Sequence, residues 1–119
     1  NNKKLILSKM EKLGEKWDGY SASQIKPDLI PFAEVFLKKI FNFIDSMDLK
    51  IDLPDIVPVA NGNIQFEWDL ENKYLEIEIL DSRVLQIFKM DKNDNQDKEF
   101  IVHRIEETLD SIFWLSKEQ

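Results

Sequence analysis

The feature that most constrains this chain is a change of hydrophobic period near its middle. Between Asp28 and Asp48 the apolar residues recur at helical spacing: Phe32, Val35, Phe36, Ile40, Phe43 and Met47 form one stripe, and Ala33, Leu37, Phe41 and Ile44 the adjacent one. From Ile56 onward they recur at every second residue, the spacing of a strand with one wet face. Ile64, Phe66, Trp68 and Leu70 alternate with Gln65, Glu67 and Asp69, and Leu75, Ile77 and Ile79 alternate with Glu76 and Glu78. A strand that is polar at every other position needs one covered and one solvated face. Antiparallel sheets provide this, and helices cover the apolar side.

The remaining elements follow from the same periodicities. A first helix is expected from Asn2 to about Lys12, with Leu5, Ile6, Met10 and Leu13 as its stripe and Gly14 as its stop. The second helix, opened by Asp28 as N-cap and with Pro31 in its first turn, has an apolar face wider than the ~100° of a surface helix. It is therefore expected at the centre, buried on two sides. Asn61-Gly62 predicts a two-residue hairpin turn that sets Val59 against Ile64 and Val57 against Phe66. That register makes position 58 hydrogen-bonded, and Pro58 has no N–H to give, so an edge strand that frays or bulges is expected there. Arg83 to Met90 reads as a further strand whose facing the alternation leaves open. Asp91 to Lys98 reads as a polar loop, and about Lys98 to Leu115 as a final helix carrying Ile101, Ile105, Leu109 and Ile112. The expected fold is α+β, with an antiparallel sheet of three to four strands and helices packed on one face, in the order α-α-β-β-β-β-α.

The 119 residues carry no composition break, repeat or low-complexity linker, which predicts a single domain over 1–119. Without cysteine there is no disulfide scaffold, thiolate metal site or Cys nucleophile, and one histidine cannot build a multi-His metal centre. Wholly apolar runs of only three or four residues leave no bilayer-spanning helix and no secretory segment, so a cytoplasmic location and no membrane partner are expected. The net charge of −7 is uneven: residues 1–50 carry nine basic and seven acidic side chains, and residues 51–119 seven and sixteen. Direct nucleic-acid binding is disfavoured by that balance, because such affinity comes mainly from neutralising phosphates. The lysines at 3, 4, 9, 12 and 16 are diluted by Glu11 and Glu15 and read as a solvated helix face.

The acidic strands hold the main candidate site. Any register that keeps the apolar faces together must oppose carboxylates: a two-residue loop sets Glu67 against Glu76, and a four-residue loop sets Glu67 against Glu78 and Asp69 against Glu76. Opposed like charges destabilise a sheet by a few tenths to ~1 kcal/mol. A solvated acidic face that discourages edge association accounts for them, and so does a docking surface for a basic partner built on Glu67, Asp69, Glu76 and Glu78. Trp17 and Tyr20 flank an Asp18-Gly19 turn and are candidate partner-binding anchors; the competing reading folds them onto the core as a lid.

Other motifs fail on detail. Asp91-Lys92-Asn93-Asp94-Asn95 begins like a calcium loop, but Gln96 stands where Gly is needed and Val102 where Glu is needed. No metal site and no cofactor is expected. His103, placed on the final helix among Glu99, Glu106 and Glu107, reads as exposed, and no serine sits in a nucleophile elbow. Gly14, Gly19 and Gly62 form no phosphate-cradling spacing.

Trp17-Asp18-Gly19-Tyr20-Ser21-Ala22, an apolar helical stretch ending in Phe36-Leu37, then Pro58 followed by Gly62-Asn63-Ile64-Gln65-Phe66-Glu67-Trp68 and Leu75-Glu76-Ile77-Glu78-Ile79, together resemble a group of small uncharacterised bacterial proteins. The group shares a WDGY-type turn and a GxIxxEW strand motif. The resemblance covers about residues 17–79 and departs at Ser21 and Gln24, where glycine and proline are common in the group. It implies a bacterial or phage-borne soluble domain and carries no substrate with it. The expectation for function is a non-catalytic protein-interaction domain of antitoxin, immunity-protein or inhibitor type, with an acidic sheet face for a basic protein. The alternatives are a small-ligand module lined by aromatics between helix two and the sheet, and a nucleic-acid mimic that blocks a DNA-binding protein.

Overall fold

The computed structural model describes residues 2–10 and 23–117. In chain order its elements are α1 (Asn2–Met10), α2 (Leu29–Ser46), β1 (Asp55–Pro58), β2 (Ile64–Asp69), β3 (Lys73–Asp81), β4 (Val84–Asp91), β5 (Gln96–Val102), a 3-10 turn (Ile105–Thr108) and α3 (Leu109–Ser116). The five strands form one antiparallel meander, β1-β2-β3-β4-β5, so each strand pairs with its neighbour in sequence. The α+β architecture with helices on one sheet face is as expected. Among the described residues the strand count is five, against the three to four anticipated.

The extra strand comes from the segment expected to be loop and then helix. Gln96–Val102 pairs with β4, from Asp91↔Gln96 to Leu85↔Val102, and the helical residues begin only at Ile105. Ile101 matches the helical spacing of Ile105, Leu109 and Ile112, yet it belongs to the strand and is 45% exposed. Phe100-Ile101-Val102 has strong strand propensity, and pairing with β4 overrides the helix-forming Lys98 and Glu99. The polar stretch at 92–95 is the β4–β5 turn, where Asp91 Oδ1 accepts from the Asn93 N–H at 3.0 Å and Asn95 takes a positive φ of 53°.

The β1–β2 turn also departs from expectation, and Pro58 explains why. The Gly62 N–H donates to Val59 O (2.8 Å), the Val59 N–H donates to Asn63 O (2.8 Å), and Gly62 has φ +93°. This is a three-residue loop closed through a left-handed glycine. The extra residue sets Pro58 opposite Ile64 in the pair next to the hydrogen-bonded 59/63 pair. Position 58 therefore owes no N–H to the ladder. The shift by one also reverses the facing: Ile56 is buried opposite Phe66, and Val57 turns to the other side opposite Gln65.

α2 lays Leu29, Ile30, Ala33, Phe36, Leu37 and Ile40 on the sheet, and Phe36 stacks on Phe66 with centroids 5.2 Å apart. Neither apolar stripe is wholly covered, since Val35 and Met47 of the first and Phe41 of the second are each about half exposed. The helix is thus buried on one broad face and not on two. Asp28 precedes it in helical conformation and makes no side-chain cap. At its other end the Asp48 N–H donates to Asp45 O and the Leu49 N–H to Ile44 O, with Asp48 at φ 52°. This double closure satisfies carbonyls the helix leaves free. α3 brings Ile112 and Leu115 to the same core, whose sheet side is Ile64, Phe66, Trp68, Leu75, Ile77, Ile79, Leu85 and Ile87. Among the described residues no helix is long and apolar enough to cross a membrane.

Candidate functional site

The face of the sheet away from the helices is set by strand parity. β2 and β3 are joined by a two-residue loop, with the Leu70 N–H donating to Lys73 O at 2.8 Å. Glu67 therefore lies directly opposite Glu76, Gln65 opposite Glu78 and Asp69 opposite Tyr74. Carried across all five strands, the pairing makes one transverse row of Asp55, Glu67, Glu76, Phe88 and Glu99 and a second of Val57, Gln65, Glu78, Gln86 and Ile101. A third runs Asp69, Tyr74, Met90, Asp97. Seven carboxylates thus share the face. The lysines of the strands, Lys73, Lys89 and Lys98, all have the opposite parity.

The side chains are held in order by specific contacts. The Tyr74 hydroxyl lies between the opposed acids, 2.8 Å from Glu76 Oε1 and 3.3 Å from Glu67 Oε2. Gln65 Nε2 also donates to Glu67 Oε2 at 2.8 Å. Polar hydrogens thus point at the carboxylates where bare opposition would repel. Burial, followed by the Glu76 hydrogen bond and the charges of Glu76 and Glu67, pushes the Tyr74 phenol well above its usual range. Glu78 Oε2 accepts from Asn63 Nδ2 (2.8 Å) and Asn61 Nδ2 (3.3 Å), both on the β1–β2 loop. Asp69 pairs with Lys92, which reaches over from the β4–β5 turn.

Glu67, Glu76 and Glu78 are half-buried and Asp69 is exposed, so all four expected acids share one face. Trp17 and Tyr20 lie outside the described residues. Sequence reasoning missed the apolar share of this face. Phe88 and Met90 lie on a strand that is apolar on both parities, which leaves their facing open in the sequence, and Ile101 falls at a helical spacing. Phe88 meets Tyr74 edge-on at 6.1 Å between centroids. The face is therefore acidic over β1–β3 and part apolar over β4–β5.

Elsewhere, His103 is exposed, but it sits between β5 and the 3-10 turn and not within a helix. Its N–H donates to Glu107 Oε1 at 3.2 Å, and its Nδ1 lies 3.1 Å from Arg83 O. The space between α2 and the sheet holds Phe36 and Phe66 as core. Trp68 is buried, with its indole N–H donating to Asp52 O at 2.9 Å. Among the described residues no group of three or more His, Asp or Glu side chains is arranged to hold a metal ion. No protein-family model, curated protein or solved structure matches this chain.

Proposed function

We propose that the chain is a non-catalytic protein-interaction domain that receives a basic protein on the open face of its sheet. The observation that supports this reading most is the sign of that face: seven carboxylates from four of the five strands, with every strand lysine on the other side. Lys3 and Lys92 pair with Asp55 and Asp69 on this face, and the remaining excess of negative charge accelerates encounter with an oppositely charged partner and repels wrong ones. Phe88, Met90 and Ile101 beside the acids supply apolar area of the kind that slows dissociation once charges have aligned the partner. The antitoxin, immunity-protein and inhibitor classes all fit a domain of this size and surface.

A second reading, a nucleic-acid mimic, draws on the transverse row itself. Asp55, Glu67 and Glu76 follow one another at the strand spacing of ~4.8 Å. Phe88 then interrupts the row before Glu99, a break a phosphate lattice does not have.

The test is capture from native extract by the immobilised full chain, with identification by mass spectrometry. A cognate partner is basic, is released as salt rises from 50 to about 300 mM, and is lost with Glu67→Lys and Glu76→Lys. Retention of the captured protein by both variants at all salt concentrations overturns the reading. A captured DNA-binding protein that duplex DNA displaces moves the reading to mimicry.

A further inference from the structure

The helix-covered face of the sheet has one corner that the helices leave open. Its third transverse row runs Trp68, Leu75, Lys89, Lys98, passing from buried core on β2 and β3 to a half-buried and then an exposed lysine. Lys89 and Lys98 are direct cross-strand partners, a like-charge pair of the kind that weakens a sheet. On the open face the comparable opposition of Glu67 and Glu76 is bridged by Tyr74. Here no carboxylate among the described residues closes onto the pair: their salt bridges engage Lys3, Lys39, Lys50 and Lys92.

Trp114 of α3 forms the wall beside the pair. The Lys89 ammonium lies 4.9 Å and the Lys73 ammonium 5.0 Å from its ring centroid. Lys73 has a structural task, donating to Trp114 O at 2.7 Å and Lys117 O at 3.3 Å and so capping the end of α3. The Lys89 ammonium is held below its usual range, first by burial and then by the charge of Lys98, with Lys117 and Lys73 adding to the repulsion and Asp110 opposing it. Lys73, Lys89, Lys98 and Lys117 thus gather at this corner against Asp91 and Asp110, a local excess of positive charge in a chain of net charge −7. The corner is also concave: a groove of about 280 Å³ is lined by Lys89, Asp91, Gln96, Asp97, Lys98 and Trp114.

We propose that this groove binds a small phosphate monoester, with its phosphate between Lys89 and Lys98 and its body against Trp114. Two ammoniums match the two charges of a phosphate dianion, and lysine serves phosphate as a point charge without the fork that carboxylate recognition favours. The volume lies near the lower limit of ligand pockets, which suits a three- to six-carbon polyol phosphate and excludes a dinucleotide. Asp91 and Gln96 at the rim can accept from and donate to ligand hydroxyls, and Asp97, which belongs by register to the acidic face, also borders the groove. The site lies on the other side of the sheet from the acidic face and stands or falls separately from it.

The experiment is a two-dimensional amide and indole NMR titration of the full chain with glycerol 3-phosphate, inorganic phosphate, acetate and chloride. Saturable shifts at the Trp114 indole and the amides of Lys89 and of 96–98 are expected with both phosphates, at lower concentration for the ester. Acetate should bind more weakly, and chloride should only screen. Lys89→Gln with Lys98→Gln should weaken the ester by about tenfold or more, the loss of two charge-assisted contacts. Lys98→Gln alone, at an exposed position, should raise the melting temperature in phosphate-free buffer by removing the repulsion. Shifts that grow linearly without saturating, or that chloride reproduces, or that persist in the double variant, overturn the proposal. Saturation by inorganic phosphate with no gain from the ester overturns the assignment of the groove to a phosphorylated small molecule.

Discussion

Tyr74→Phe removes one oxygen from the acidic face and tests how opposed carboxylates are tolerated there. The hydroxyl makes two contacts to carboxylate oxygens, at 2.8 and 3.3 Å. A hydrogen bond to a charged acceptor contributes about 1.5–3 kcal/mol; the site is half-exposed, so the lower half of that range applies. Loss of the bridge also restores the bare opposition of Glu67 and Glu76, worth a few tenths of a kcal/mol more. The expected cost at pH 7 is therefore about 1.5–2.5 kcal/mol, read as a shift in urea midpoint with unchanged slope. The alkaline limb supplies the signature. A phenol whose folded pKa is raised contributes stability that is complete below its unfolded value near 10 and lost as pH climbs above it. Wild type should thus lose ground to Tyr74→Phe between pH 10 and 11, and the gap between them should narrow. Lys73 and Lys89, both held below the usual ammonium range, act in the opposite sense in that window and are common to both proteins, so the comparison cancels them. A variant within about 0.3 kcal/mol of wild type at pH 7, with parallel pH profiles, would refute the bridging role.

Three further outcomes test the fold that carries the site. Gly62→Ala should cost about 2–4 kcal/mol in chemical denaturation: a side chain is forced to φ +93°, and its Cβ would sit 2.8 Å from Gln24 O. The segment carrying that carbonyl is held to the hairpin by the Ser23 N–H to Ala60 O and Lys26 N–H to Gly62 O bonds, which must yield. Lys73→Met should cost about 1–2 kcal/mol and speed hydrogen exchange in the last turn of α3, because two carbonyls lose their donor while the apolar contact with Trp114 survives. Pro58→Ala should stay within about 1 kcal/mol of wild type, with its new amide exchanging rapidly, since position 58 faces away from the ladder; slow exchange there would contradict the register.

Much of this molecule is legible in the order of its residues, and the failures have identifiable causes. The alternation from Ile64 to Ile79 is read correctly because each side chain has one possible face, and the two-residue loop at Glu71-Asn72 sets Glu67 against Glu76. Asn61-Gly62 misleads because a favourable local turn competes with a proline three residues earlier. The chain resolves that conflict by lengthening the loop, which turns Ile56 inward in place of Val57. β5 is invisible locally: Gln96 to Glu99 is polar and exposed on both sides, and only pairing with β4 makes it a strand. The lysine corner is hidden for the same reason. Lys89 and Lys98 are nine positions apart and become neighbours only through the β4–β5 register.

The two margins of the sheet are unlike, and this limits how molecules can join. β1 is four residues long and ends at Pro58, whereas β5 is seven residues long and exposed along all but its last residue. A growing fibril needs two receptive borders on every subunit. Here, back-to-back annealing of two molecules along β5 would consume both receptive borders and leave a proline-blunted strand at each end, so accretion stops at the pair.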